Sequence, residues 1–371
     1  MNVEITFPAH RFNGPTDRAA YIAPNDVSSE HQDGPDITVV MPVFNCESFL
    51  PTRLASLLEH QQVNLEVIAV DDGSQDRSLT LLRDYAARDP RLKVLSQANA
   101  GPSVARNLAL RHARGEWIVF ADADDRMSSN GLAEWLTQAR HQRLDLLIGN
   151  GYRFIHDTEV ARRPMLKRQP WGNVLPGSAW IEHCVQVREW PHYSPLQMIR
   201  REFLTRHDLA FPSGVLHEDV LWTTELALAA KRVGFNRSPL YGYRRNPDSI
   251  VNSTLPARLM LRGRGYVAII AMLLERASHS HYPASLRRAF IQHAHSEMRH
   301  FSDLVRKAIK DGETRRALCH EMARIAPWKP LLRSVSRYEQ LRRLARAYLT
   351  VTFSGRFRGR TAWRKQDAPR R

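Results

Sequence analysis

The first run of apolar residues is Ile37-Thr38-Val39-Val40-Met41, closed by Pro42. A β-branched run bounded by a turn residue predicts a buried strand. Leu50, Leu54, Leu57 and Leu58 then recur at three- and four-residue spacing, the mark of a helix with one apolar face. Leu65-Glu66-Val67-Ile68-Ala69-Val70 reads as a second strand, residues 78–88 as a helix, and Leu92-Lys93-Val94-Leu95 as a short strand. Residues 103–113 form a helix with small residues on one face, Trp117-Ile118-Val119-Phe120 a strand, and residues 132–140 a helix. Leu144-Asp145-Leu146-Leu147-Ile148 is a further strand. Strands and helices alternating at this pace predict an α/β fold, a mainly parallel sheet with right-handed crossovers. Ligands in such sheets bind beyond the carboxyl ends of the strands.

Outside this stretch the pattern changes. Residues 1–35 carry scattered Pro and Gly without sustained periodicity and read as a flexible N-terminal extension. Residues 150–255 are less regular and hold Trp171, Trp180, Trp190 and Trp222. From residue 256 the pattern is helical and basic. The expected division is therefore 1–35, 36–255 and a helical basic region 256–371. The longest apolar run, Val267-Ala268-Ile269-Ile270-Ala271-Met272-Leu273-Leu274, falls short of the roughly 20 residues of a membrane span and reads as a buried helix. No secretory signal is visible. Cys46, Cys184 and Cys319 are widely spaced, odd in number and without a CxxC, which fits a reducing compartment rather than a disulfide framework. A cytoplasmic protein, soluble or peripheral on the inner face of the membrane, is expected.

Charge sharpens the picture at one end. The chain of 371 residues carries a net charge of +16, and between residues 329 and 371 there are 13 Lys and Arg against Glu339 and Asp367. Leu341, Leu344, Ala345, Tyr348 and Leu349 make an apolar stripe with Arg342, Arg343 and Arg346 around it. Such a helix suits an anionic membrane surface. A solvated basic tail is the plain alternative. Nucleic-acid binding has neither a known motif nor interleaved aromatics to support it. His279, His281, His293, His295 and His300 with Glu297 fall in the same region and read as packed or surface histidines.

The chemistry concentrates at the expected strand ends. Asp122-Ala123-Asp124-Asp125 follows the strand at Phe120, and crowded carboxylates there are relieved by a hard divalent cation such as Mg²⁺ or Mn²⁺. The plain alternative is a solvated turn capping the next helix. Asp71-Asp72-Gly73-Ser74 closes the second strand, where a carboxylate can accept from a base N–H or from ribose hydroxyls; a simple turn is equally good chemistry. Asn99-Ala100-Gly101-Pro102-Ser103-Val104-Ala105-Arg106-Asn107 leads into a helix, with Arg106 one turn inside and able to meet pyrophosphate or base. Glu218-Asp219, after His217 and before an apolar helix, reads either as first-turn acids that complement the helix dipole or as a general base.

Taken in order, Pro42-Val43-Phe44-Asn45, Val70-Asp71-Asp72-Gly73-Ser74, Gly101 to Asn107, Asp122-Ala123-Asp124-Asp125 and Glu218-Asp219 resemble the family 2 glycosyltransferases of GT-A fold. The resemblance is specific over residues 36–135, looser to about 255, and includes Tyr241-Gly242-Tyr243-Arg244-Arg245-Asn246 with Ser249-Ile250. It implies an inverting transfer of a sugar from a nucleotide diphosphate, UDP or dTDP favoured, to a hydroxyl of a surface glycan, lipopolysaccharide or lipid-linked acceptor. Residues 36–135 would be the donor half and 136–255 the acceptor half. Pro42, Phe44 and Asn45 would line the base pocket; most members have Tyr where Phe44 stands. Asp72 would bond the base, Asp71 would sit beside the ribose, and Arg106 and Ala123 would line the donor site. Asp122 would face ribose or metal and Asp124 would hold Mg²⁺ or Mn²⁺. Asp219 would be the base, with Glu218 second. A nucleotidyltransferase would need a basic phosphate loop, and residues 42–49 hold no Lys or Arg. A non-catalytic assembly protein of the same fold would be free to lose these acids, and all are present.

Overall fold

The computed structural model describes residues 34–59, 62–128, 130–155, 163–245, 255–325 and 328–353. The expected extension over 1–33, the motif positions Asn246, Ser249 and Ile250, and the basic tail from residue 354 lie outside them.

Four strands open the fold: β1 (Ile37–Val43), β2 (Leu65–Asp71), β3 (Leu92–Ser96) and β4 (Trp117–Phe120). They are linked by helices α1 (Leu50–Leu58), α2 (Ser78–Ala86) and α3 (Pro102–His112). All four pair in parallel, in the order β3-β2-β1-β4. The apolar runs of β1, β2 and β4 are explained by burial on both faces, while β3 at the edge is only partly buried. The periodicity placed every one of these elements within three residues of its ends.

The second half departs from the expected pattern. It contains β5 (Arg126–Met127), α4 (Gly131–His141), β6 (Leu146–Phe154), β7 (Val174–Leu175) and α5 (Gly177–Val187). These are followed by β8 (Gln197–Arg200), α6 (Arg201–Arg206), α7 (Glu218–Ala229) and β9 (Val233–Arg244). The strand expected at 144–148 starts at Leu146, and it does not lie beside β4. Strand β8 is inserted between them, antiparallel to both, so the sheet is mixed, with the order β3-β2-β1-β4-β8-β6-β9-β5 and β7 paired to β9. Four residues with polar ends carry no legible strand period. Gln197 is there for another reason: it accepts from Trp222 Nε1 at 2.9 Å and donates to Thr223 Oγ1 at 2.8 Å, which fixes α7 against the sheet.

The remaining helices are α8 (Pro256–Ser278), α9 (Ala284–Asp303) continued by a π-turn over Leu304–Ala308, α10 (Gly312–Arg324), α11 (Trp328–Arg333) and α12 (Tyr338–Phe353). The apolar run within α8 is largely buried, as its composition required, and no described helix is long and apolar enough to cross a membrane. Helix α8 also approaches the loop before α7 very closely. A Cβ on Gly265 would stand 2.0 Å from the Leu216 carbonyl oxygen, so only glycine fits there. The C-terminal helices therefore help set the position of Glu218 and Asp219.

Candidate active site

The β2–α2 turn and the loop before α3 lock together at one edge. Asp72 is buried, and its carboxylate accepts from Gln97 Nε2, Ala100 N and Gly101 N, each at 2.8 Å. Three of roughly four acceptor positions are thus taken by the protein itself. Gly73 makes the approach possible: its φ is +74°, and a Cβ would lie 2.9 Å from Asn99 N. Asp71 is buried beside it, with Oδ2 accepting from Ser74 N at 3.3 Å and Oδ1 without a partner. Asn45, at φ +51°, joins β1 to the same turn by donating its N–H to Ser74 Oγ and accepting from Gln75 N. Pro42 is half-buried, and Phe44 next to this brace presents an exposed ring.

The acidic turn after β4 divides its work. Asp125 is buried and accepts from Tyr241 Oη and the Arg244 N–H, both at 2.7 Å. Burial and the charges of Asp122 and Asp124 push its carboxyl well above the usual range. It is the clamp that ties the turn to β9, aided by Arg244 Nε donating to the Asp124 carbonyl at 2.9 Å. Asp124 is pushed up by burial and then by Asp122. Ala123 is buried between them. Asp122 and Asp124 offer only hard oxygen donors. Their chemistry fits Mg²⁺ or Mn²⁺ held by one or two carboxylates. Among the described residues no group of three or more His, Cys, Asp or Glu forms a ready-made cage.

Arg106 sits differently from the sequence expectation. It is buried rather than at the mouth of the site, over the Phe211 ring at 5.1 Å. Its Nη2 donates to Asp122 at 3.2 Å, and its Nη1 donates to Glu218 at 3.0 Å and lies 3.9 Å from Asp219 Oδ1. A long side chain one turn into α3 thus reaches both acidic groups, and they hold its proton more firmly still. Asn107 pins the same region, exchanging hydrogen bonds with the Phe211 backbone at 2.8 and 2.9 Å.

Glu218 and Asp219 open α7. Glu218 is committed to Arg106. The Asp219 side chain is 25% exposed, and its Oδ1 has no hydrogen bond. Burial raises its pKa to about 8, the charge of Glu218 adds to the rise, and Arg106 partly offsets it. A carboxyl in this state can take a proton from a hydroxyl near neutral pH. His217 before it is in the left-handed region at φ +66°, its ring 4.8 Å from Tyr266 and its pKa pushed down to about 4, chiefly by burial. Of the histidines farther on, His293 is buried 3.4 Å from Glu297, His300 lies 3.3 Å from Glu297 but is partly exposed, and His281 is on the surface.

Three residues of the site escaped the sequence reading. Tyr241 was part of a recognised segment but had no role; it is the hydroxyl that anchors Asp125. Tyr243, half-buried, feels the charges of Asp122, Asp124 and Asp125. Arg53 on α1 is 2% exposed, and none of its three guanidinium nitrogens has a hydrogen bond. It lies 6.0 Å from the Tyr241 ring centroid, and its charge favours the ionised form of Asp124. The signal was available: Arg53 interrupts the buried stripe of Leu50, Leu54 and Leu57.

The mixed, mainly parallel sheet thus gathers acids at its strand ends, and the first turn of α7 adds two more beside them. Residues 38–223 match the model of Glycosyl transferase family 2, and the chain belongs to that family. It is 29% identical over 246 residues to the uncharacterized glycosyltransferase YibD of Escherichia coli (strain K12), a match covering 66% of this chain and 72% of YibD. The chain spans 63% of the length of further glycosyltransferase relatives. The crystal structure of S. aureus TarS residues 1–349 with UDP-GlcNAc superposes with a TM-score of 0.64 at 18% identity, covering 86% of this chain and 90% of that one. The mannosyltransferase PcManGT from Pyrobaculum calidifontis, in complex with GDP-Man and Mn²⁺, superposes with a TM-score of 0.50 at 19% identity, covering 89% and 90%. At these identities the structural likeness establishes the GT-A fold.

Proposed function

We propose that this glycosyltransferase moves a sugar with inversion from a nucleotide-diphosphate sugar to a hydroxyl of a surface glycan, lipopolysaccharide or lipid-linked acceptor. The single observation that carries the reading is the Arg106 bridge between Asp122 and the Glu218–Asp219 pair. It sets a metal-type carboxylate and a base-type carboxyl on two sides of one buried cation. Inversion needs the base and the leaving diphosphate on opposite sides of the anomeric carbon, and the reading assigns Asp219 to one side and the metal carboxylates to the other.

In this reading Phe44 stacks on the base and Pro42 and Asn45 shape its pocket. Asp71 offers its free oxygen to the ribose, and Asp72 keeps one acceptor position for the base while holding the 97–101 loop in place. Asp122 and Asp124 would hold Mg²⁺ or Mn²⁺, which when bound neutralises charge on the diphosphate. Asp219 takes the acceptor proton, and Glu218 fixes Arg106 and raises the pKa of its neighbour. UDP-GlcNAc in TarS and GDP-Man with Mn²⁺ in PcManGT support a nucleotide-sugar donor and a divalent cation; UDP or dTDP is favoured here. Residues 36–135 then serve the donor and 136–255 the acceptor, with the helices from 256 supporting both and carrying the protein to the inner face of the cytoplasmic membrane.

The test is a panel of nucleotide sugars incubated with the protein, Mn²⁺ and candidate lipid-linked or oligosaccharide acceptors, the product's anomeric configuration being read by NMR. A single donor consumed with inverted configuration, and lost activity in Asp219→Asn, is the expected result. A product of retained configuration overturns the reading.

A further inference from the structure

A groove of about 510 Å³ opens on the opposite kind of surface, between the π-turn, α10 and α12. Arg306, Arg315 and Arg346 line it together with Val305, Leu349 and Phe353, and no acid is among its lining residues. Three guanidinium groups sharing one hollow repel one another unless an anion joins them. Arg315 donates through Nη2 to the Ile309 carbonyl at 2.6 Å, while its Nε is buried with no hydrogen-bond partner.

The apolar surface beside it is equally informative. Helix α12 has two apolar faces. Leu344, Ala347 and Val351 are buried against the protein, so the stripe expected from sequence is split. Tyr338, Leu341, Ala345, Tyr348 and Leu349 recur at three- and four-residue spacing on a different, exposed face, with Tyr338 78% and Leu349 54% exposed. Leu332 on α11 is exposed as well. Arg342 and Arg346 border that face by their helical positions, and Leu349 belongs to both the face and the groove. Large apolar side chains gathered on one face and bordered by arginine describe a helix lying in a bilayer interface. Sequence continues beyond Phe353 with seven further Lys and Arg, interspersed with Phe357 and Trp363.

We propose that the groove is a phosphate-binding site for the headgroup of an anionic phospholipid, used while the exposed face of α12 rests in the bilayer. Arg306, Arg315 and Arg346 take the phosphate oxygens, for which the guanidinium fork is suited. Leu349 and the neighbouring apolar residues meet the acyl boundary. The inference rests on the membrane reading above but not on the identity of the donor sugar.

The experiment is vesicle flotation of the full chain with phosphatidylcholine alone and with added phosphatidylglycerol. Two variants of equal charge loss are compared, Arg306→Gln/Arg315→Gln/Arg346→Gln in the groove and Arg356→Gln/Arg358→Gln/Arg360→Gln in the tail. The wild type should float with the anionic vesicles and remain behind with the neutral ones. The groove variant should lose about a hundredfold in affinity, from about 1 kcal/mol for each basic residue held at such a surface, and the tail variant clearly less, because its arginines do not share the groove. Circular dichroism and donor hydrolysis should be unchanged in both. Equal losses in the two variants would overturn the groove as a site. Release of the wild type by free inorganic phosphate at unchanged ionic strength would overturn the lipid as its occupant. No binding to anionic vesicles by the wild type would overturn the membrane reading itself, leaving the donor chemistry untouched.

Discussion

The acidic turn after β4 and the acidic start of α7 are built by the same rule with different partners. Each commits one carboxylate to structure and leaves another open. In the turn, Asp125 is spent on Tyr241 and the Arg244 backbone, Asp122 accepts from Arg106, and Asp124 is the member the proposed mechanism gives to a cation. At α7, Glu218 is spent on Arg106, and Asp219 is the member the proposed mechanism uses to take a proton. Crowding alone does not explain the difference. The turn crowds three carboxylates into four residues, whereas Asp219 is raised to about 8 by burial, then by the charges of Glu218 and Asp122, with the Arg106 guanidinium 3.9 Å away partly offsetting them. The lesson is that the open member of each set is defined by what its committed neighbour holds.

The largest expected effect breaks the α7 side. Asp219→Asn should lower transfer by about 10²–10⁴-fold, the usual worth of a general base, while nucleotide-induced thermal stabilisation persists. If Glu218 were the base instead, Asp219→Asn would retain most activity in the same rate assay. The variant should also change stability in a defined direction. The Asp219 pKa is raised on folding from 3.8 to about 8, so its stabilising contribution is full below about pH 4 and is lost as pH rises through about 8. The melting temperature of Asp219→Asn should therefore gain on that of the wild type as pH climbs across this window.

Next comes the bridge. Arg106→Met leaves Asp122 and Glu218 without their shared buried cation and should cost about 3–5 kcal/mol in urea unfolding. A loss near zero would mean that solvent, not Arg106, satisfies the two carboxylates. The turn gives a smaller contrast between neighbours. Asp125→Ala should destabilise by about 2–3 kcal/mol, because it strands the Tyr241 hydroxyl and the Arg244 N–H. Asp124→Ala should leave urea stability within about 0.5 kcal/mol, as expected away from a structural partner, yet abolish the Mn²⁺-dependent thermal shift with nucleotide. Reversal of the two phenotypes would exchange their roles. The smallest effect is expected at the rim: Phe44→Ala should weaken nucleotide binding by about 1 kcal/mol through lost stacking, and Phe44→Tyr should change it less, both read by titration calorimetry.

The same contrast explains what the sequence revealed. Strands β1, β2 and β4 are buried on both faces, so their runs are mostly apolar, and the acids that follow β2 and β4 are conspicuous. The order of β8 and β6 was hidden because Gln197-Met198-Ile199-Arg200 is short and its end residues are polar for packing reasons that involve Trp222 and Thr223, distant in sequence. Arg106 was legible as a residue of interest but not as a bridge, since its partners lie 16 and 112 residues away. Asp72 was legible as a strand-end acid, whereas its three bonds to the 97–101 loop depend on Gly73 letting that loop approach. Tyr241 could be placed in a segment but not against Asp125, because the two lie 116 residues apart and meet only through the pairing of β5 with β9.

The most direct test of Asp219 as the open, proton-accepting member is the pH dependence of kcat/KM at saturating Mn²⁺, which reports the free enzyme's ionisation. The expected profile rises about tenfold per pH unit and levels off near pH 8, with the rising limb displaced when Glu218 is changed to Gln and its like charge removed. A profile flat from about pH 6 to about pH 9, or one unmoved by Glu218→Gln, would contradict the assignment.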